Sequence, residues 1–99
     1  LDPVVGSEQA GLRPIIVISH DVFNERSATL IAVAVTSKEP RAGFPLTLEI
    51  TSTKLPKRSW AKPSQVRTIA VERLRGKMGR LSDEEVQRIV DGVNEIVSA

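Results

Sequence analysis

The first segment to stand out is the apolar run Ile15-Ile16-Val17-Ile18, closed by Ser19, which predicts a strand buried on both faces. Residues 29–36 (TLIAVAVT) predict a second strand, rich in β-branched side chains and ending in the polar Thr36-Ser37-Lys38. Residues 46–50 (LTLEI) alternate apolar and polar, the pattern of a half-exposed antiparallel strand. Residues 66–71 (VRTIAV) predict a further strand, and the basic residues 73–80, with Gly76 and Gly79, end in a short one. Leu1-Asp2-Pro3 and residues 6–11 (GSEQAG) carry the Pro, Ser and Gly of a loop. Residues 20–27 are polar and read as a connection with room for one helical turn. Residues 38–45 hold two Pro and one Gly and predict another loop. Residues 51–63 predict a long polar, basic loop with Pro56, Trp60 and Pro63, and loops of that length often carry function.

Only the last segment is clearly helical. Ser82 is placed to cap it, and Glu85 three residues later completes a capping box. Asp83 and Glu84 fall in the first turn, where the helix dipole favours negative charge. Val86, Ile89, Val90, Val93, Ile96 and Val97 recur at spacings of three and four and form one apolar face, with Gly92 a weak point inside it. Several short strands followed by a terminal helix predict a mainly β (α+β) fold. The expected form is a small, strongly bent antiparallel sheet or barrel with the helix packed on it.

Composition fits that reading. Ninety-nine residues suffice for one domain, expected over residues 1–99, and 20 Val and Ile against three aromatics suit a branched aliphatic core. Lys and Arg number 14 and Asp and Glu 12, a net charge of +2, but the distribution is uneven. Residues 54–80 hold nine basic residues and one acid, Glu72, whereas residues 81–99 hold five acids and one base, Arg88. A basic stretch of this kind favours an anionic partner, nucleic acid or an acidic peptide, or is a solvated surface. The absence of Cys excludes disulfides, thiolate catalysis and Cys-based zinc sites, and a single His excludes a His-rich metal site. No apolar run approaches membrane-spanning length and no signal-peptide pattern is visible, so the expected location is the cytoplasm.

Conventional enzyme motifs are missing: there is no P-loop, no GxGxxG and no GxSxG, and the carboxylates do not fall at metal-ligand spacings. No cofactor and no metal are expected. What remains is polar groups at strand ends. Glu8, Gln9 and Arg13 flank the entry of the first strand, and His20 and Asn24 follow its exit. Thr36 and Ser37 stand at the end of the second, and Gln65 and Arg67 open a later one.

Gly6-Ser7-Glu8-Gln9-Ala10-Gly11-Leu12-Arg13-Pro14 followed by an aliphatic strand resembles the signature of the MazF/PemK-type toxins, the mRNA interferases of bacterial toxin–antitoxin systems. Ala32-Val33-Ala34-Val35-Thr36 is similar to the family strand that ends in a key Thr, and Ser64-Gln65-Val66-Arg67-Thr68-Ile69 to its Q-[VI]-[RK]-[ST]-I stretch. Arg73-Leu74 and residues 77–81 resemble the lead into the terminal helix, so the likeness covers essentially the whole chain. Members of that family begin with a further stretch that forms a first strand. This chain starts at Leu1-Asp2-Pro3, so the domain is expected to lack that strand and to expose a sheet edge.

The resemblance implies a homodimer of an SH3-like, strongly bent β-barrel. It implies metal-independent, sequence-specific cleavage of single-stranded RNA, in which the ribose 2′-OH attacks the adjacent phosphate and leaves a 2′,3′-cyclic phosphate and a 5′-OH. Arg13, Thr36 and Glu8 are the expected catalytic residues. Arg13 suits two phosphoryl oxygens at once and Thr36 a hydroxyl hydrogen bond to the same phosphate. Glu8 is suited either to accepting the 2′-OH proton or to contacting a base edge. Gln9, Ser37, Gln65, Asn24 and His20 are the expected RNA-binding residues. Phe44 and Trp60 are suited to stacking on bases or to anchoring loops, the anchor being favoured for Trp60. The basic residues 54–80 suit RNA backbone and also the acidic, disordered segment of a cognate antitoxin. No membrane partner is expected. Two other readings of the same fold stay open: a CcdB-like gyrase poison, although the chain ends in Val97-Ser98-Ala99 rather than Trp, and a homologue that binds antitoxin without cutting.

Overall fold

The computed structural model describes residues 4–8 and 13–98. In chain order they form β1 (Val4–Glu8), β2 (Arg13–Val17), α1 (Asp21–Ser27), β3 (Thr29–Thr36), β4 (Leu48–Glu49) and β5 (Trp60–Ala70), then β6 (Leu74–Arg80) and α2 (Asp83–Val97). A 3-10 turn, Val71–Arg73, joins β5 to β6. The strands make one antiparallel sheet in the order β4-β5-β3-β2-β1-β6. It is a mainly β fold with a C-terminal helix. Its two edges, β4 and β6, are not hydrogen-bonded to each other among the described residues, so the expected barrel is a bent, open sheet.

Strand alternation splits the core in two. On one face Val5, Ile16, Val33, Leu48, Ile50 and Ala61 pack with Leu81 and with Ile89 of α2. On the other, Ile15, Val17, Leu30, Ala32 and Ile69 pack with Val71 and Leu74. The branched aliphatics of β2 and β3 therefore supply both faces, as a strand covered on both sides requires. Of the predicted helical face, Val86, Ile89 and Val93 join the core, while Ile96 and Val97 stay exposed. Gly92 is a point of close approach. A Cβ there would lie 3.1 Å from Pro63 Cγ and 3.2 Å from the Pro45 carbonyl oxygen, so any side chain would push α2 a few tenths of an ångström from β5.

Several expected boundaries move. Gly6, Ser7 and Glu8, read as loop, belong to β1, which pairs with both β2 and β6. The polar connection after β2 is a seven-residue helix, ended by Ala28 in the left-handed region at φ 56°. The predicted strand over residues 46–50 shrinks to Leu48–Glu49. The long loop ends early, because Trp60 and Ala61 pair with Thr36 and Val35 on one side and with Glu49 and Leu48 on the other. Trp60 is buried and anchors this edge.

The capping box forms only in part. Ser82 Oγ accepts the Glu85 amide at 3.1 Å, but the Glu85 carboxylate does not return to Ser82. It is buried beneath residues 51 and 52, where it accepts both Thr51 and Ser52 amides (2.9 and 3.3 Å) and both hydroxyls (3.1 and 2.6 Å). Ser52 Oγ in turn accepts the Ser82 amide at 2.9 Å. The loop after β4 is thereby fastened to the start of α2. At the β4 edge, Arg58 makes a two-pronged ion pair with Glu49 at 2.9 and 3.1 Å. The hydrogen bond from Arg58 holds the Glu49 carboxyl below the usual carboxylate range, and Glu49 raises the Arg58 guanidinium in turn. A lowered folded pKa stabilises above the unfolded value and is lost as pH falls through the folded one. Both groups are exposed, so this contribution is small.

Glu85→Ala leaves two amides and two hydroxyls without their acceptor and is expected to cost about 2–4 kcal/mol in chemical denaturation. Ala28→Gly relieves the left-handed backbone and is expected to raise stability by about 0.5–1 kcal/mol in the same measurement. An NMR titration of Glu49 should show a midpoint below that of an ordinary glutamate, restored by Arg58→Ala. A midpoint that Arg58→Ala leaves in place would mean that the ion pair does not hold in solution.

Candidate functional site

Three of the expected site residues, Arg13, Thr36 and Gln65, gather where the second face of the sheet turns polar. Ile15 of β2 stands opposite Ala34 of β3, so continuing that register by two residues sets Arg13 beside Thr36. Arg13 and Thr36 share the face of Ile15, Ala32 and Ala34 by strand alternation. On β5, Arg67 pairs with Ala32 and Lys62 with Ala34. The two alanines are small, and the long side chains around them enclose a cleft of about 250 Å³ lined by Arg13, Thr36, Lys62, Gln65 and Arg67. The apolar half of the same face, around Leu30 and Ile69, continues it as packed core.

A bulge in β5 builds much of this wall. Val33 pairs with Val66 but the next residue, Ala34, pairs with Lys62. Pro63, Ser64 and Gln65 are therefore extra on the β5 side. Pro63 has no N–H for a ladder and sits buried in the bulge against α2. Gln65 follows it into the cleft.

Thr36 is partly exposed, and its Oγ1 accepts the Lys38 amide at 3.1 Å. That bond occupies a lone pair and leaves the hydroxyl hydrogen to be donated into the cleft. The backbone of Glu8 in β1 pairs directly with Arg13. Among the described residues, no three His, Asp or Glu side chains converge as metal ligands.

The remaining expected residues do not join the cleft. Gln9 lies outside the described residues. Ser37 lines a separate apolar cavity of about 180 Å³ with Val35, Leu55 and Met78. His20 and Asn24 lie beyond the far end of β2, roughly 15–20 Å along the sheet from Arg13 at about 3.3 Å per residue. Asn24 is buried, its Oδ1 accepting the Ser19 hydroxyl at 2.5 Å, and Ser19 Oγ accepts the Ile31 amide at 2.9 Å. This polar cluster fastens α1 to β3. His20 is exposed at the start of α1. Lys62 is the cleft residue that sequence reading missed. Pro63 made its segment look like loop, and the apolar Trp60-Ala61 before it was the available signal.

Residues 1–97 match the family described as PemK-like, MazF-like toxins of type II toxin–antitoxin systems. The chain is 36% identical over 96 residues to the endoribonuclease MazF of Staphylococcus saprophyticus, covering 95% of this chain and 80% of that protein. Among solved structures, a MazE–MazF complex from Deinococcus radiodurans has a TM-score of 0.83 at 16% identity, covering 100% of this chain and 97% of that one. An endoribonuclease bound to its cognate antitoxin from a mycobacterial species has a TM-score of 0.79 at 18% identity, covering 96% and 91%. At those identities the structural likeness speaks to fold, and the sequence match carries the relationship. With residues 6–8, Arg13, the strand ending at Thr36 and the segment around Gln65 meeting on one sheet, and with the match over residues 1–97, this chain belongs to the PemK/MazF family of type II toxin–antitoxin toxins.

Proposed function

We propose that the chain is a metal-independent, sequence-specific endoribonuclease acting on single-stranded RNA. The observation that carries this reading is the convergence of Arg13, Thr36, Lys62, Gln65 and Arg67 on one cleft, with Glu8 paired across from Arg13. The substrate supplies the nucleophile. The ribose 2′-oxygen forms a bond to phosphorus as the bond to the 5′-oxygen breaks. The 2′-OH loses its proton and the leaving 5′-oxygen gains one. Products are a 2′,3′-cyclic phosphate and a 5′-OH.

Negative charge builds on the phosphoryl oxygens in the transition state. The Arg13 guanidinium holds two of them, and the Thr36 hydroxyl donates to one. The backbone of Glu8 pairs with that of Arg13, and Glu8 takes the 2′-OH proton or reads a base edge. Gln65 reads an unpaired base with its amide from within the cleft. Lys62 and Arg67 hold flanking phosphates. His20 and Asn24, at the other end of the sheet, take no part.

The active form is a homodimer in the cytoplasm, neutralised by an antitoxin whose acidic, disordered segment lies on the basic surface of residues 54–80 and blocks RNA.

In EDTA, a mixed-sequence RNA should be cut to 2′,3′-cyclic phosphate ends while its all-deoxy copy stays intact. Arg13→Ala should lower the rate by about 10²–10³-fold, as loss of an oxyanion-type donor does. Thr36→Val, which removes one neutral hydrogen bond, should lower it roughly tenfold. Cutting that requires a divalent ion, or a folded Arg13→Ala protein as active as wild type, would sink this mechanism.

A further inference from the structure

The cleft does not end at Lys62. Thr36 and Lys62 also wall a second recess, of about 390 Å³, which continues past Lys38 to Glu39, Pro40 and Arg41. Glu39, Pro40 and Arg41 in turn wall a third, of about 360 Å³, floored by Trp60 and flanked by Phe44, Arg58 and Arg88. Three recesses that share their walls make one track across the molecule, from Arg13 to Phe44.

The chemistry along the track is consistent. Its walls carry seven basic residues and two acids, Glu39 and Glu49. Both acids face Arg58, Glu49 at 2.9 Å and Glu39 at 3.8 Å, so one arginine offsets much of their field. Among the described residues, no carboxylate is paired with Lys38, Arg41 or Lys62. At the far end the Arg88 guanidinium lies 6.0 Å from the centre of the Phe44 ring, and Phe44 is 44% exposed. An exposed aromatic ring backed by a guanidinium, in line with Lys38, Arg41 and Lys62, suits a base stacked above a phosphate.

We infer that this track binds the RNA strand flanking the cleaved bond. Lys38 and Arg41 hold successive phosphates, and Phe44 with Arg88 stacks one base several nucleotides from the scissile phosphate. The site extends beyond the cleavage cleft and rests on the ribonuclease reading above. An acidic peptide is the weaker occupant, because the track shares Thr36 and Lys62 with the phosphate-binding cleft.

The test uses full-length protein and RNAs trimmed stepwise on either side of a mapped cleavage point. The variants are Lys38→Ala/Arg41→Ala, which alters only exposed charge, and Phe44→Leu, which keeps apolar bulk. Binding of an all-deoxy 16-mer is measured against salt in parallel. Wild-type kcat/KM should fall when one flank is trimmed. On long RNA, Phe44→Leu should lose roughly five- to hundredfold, the range of one stacked base. On the shortest cleavable RNA both variants should match wild type. The double variant should reduce the salt slope by about 1.4, near 0.7 per phosphate on a single strand. Variants equal to wild type on long RNA overturn the track and leave the cleavage reading standing. Equal loss on long and short RNA assigns these residues to the cleavage cleft and also overturns it. Unchanged cleavage with weakened binding of a Glu-rich peptide reassigns the surface to a protein partner. If wild type cuts no RNA, the cleavage reading and the track fall together.

Discussion

β3 is paired with β5 along its whole length, and the single jump in that register, between Val33 and Ala34, decides where the side chains lining the cleft stand. Below the jump, Arg67 faces the strand that carries Ala32. Above it, Lys62 does the same for Ala34, and Gln65 is pushed out between them. Without the extra residues, every β5 side chain on one side of that point would change its place relative to Thr36, because side chains alternate with a period of two. Pro63 makes the bulge affordable to the sheet. It needs no ladder acceptor, and it fills the space over Gly92 that lets α2 cover the opposite face. One irregularity thus joins the packing of the helix to the shape of the cleft.

Polar groups in this chain divide into two kinds. Glu85 and Asn24 are enclosed and, with the partly buried Ser19, engaged in hydrogen bonds that join a loop to α2 and α1 to β3. Enclosed polar groups must be bonded, and their bonds fix which elements touch. Lys38, Arg41 and Lys62, by contrast, lie along the recesses beside the cleft with no carboxylate paired to them among the described residues. Structure and chemistry draw on different residues, and the sheet positions one set by means of the other.

Much of the fold was legible from local pattern. The β3 strand came from its run of β-branched residues, and α2 from a capping serine with apolar positions three and four apart. Arg13, Thr36 and Gln65 were legible as polar residues at strand ends within recognisable motifs, and the sheet brings these three together. Lys62 was hidden because Pro63 reads as a break, although a bulge tolerates it. His20 and Asn24 looked like site residues because they follow β2 closely. In an antiparallel sheet the two ends of one strand lie on opposite margins, and only one of them borders the cleft. Glu85 looked like a helix cap, since spacing predicts the cap but not a loop from another part of the chain that competes for the carboxylate.

Sequence by itself determined the kind of elements, the alternation that makes a two-faced core, the family and the uneven placement of basic residues along the chain. These depend on neighbours within a few positions, or on motifs with fixed local spacing. Tertiary structure decided strand order, the bulge that seats Gln65 and Lys62, the partners of Glu85 and Asn24, and the continuity of the track from Arg13 to Phe44. Each of those depends on residues distant in the chain meeting across the sheet, and local pattern carries no information about register between strands.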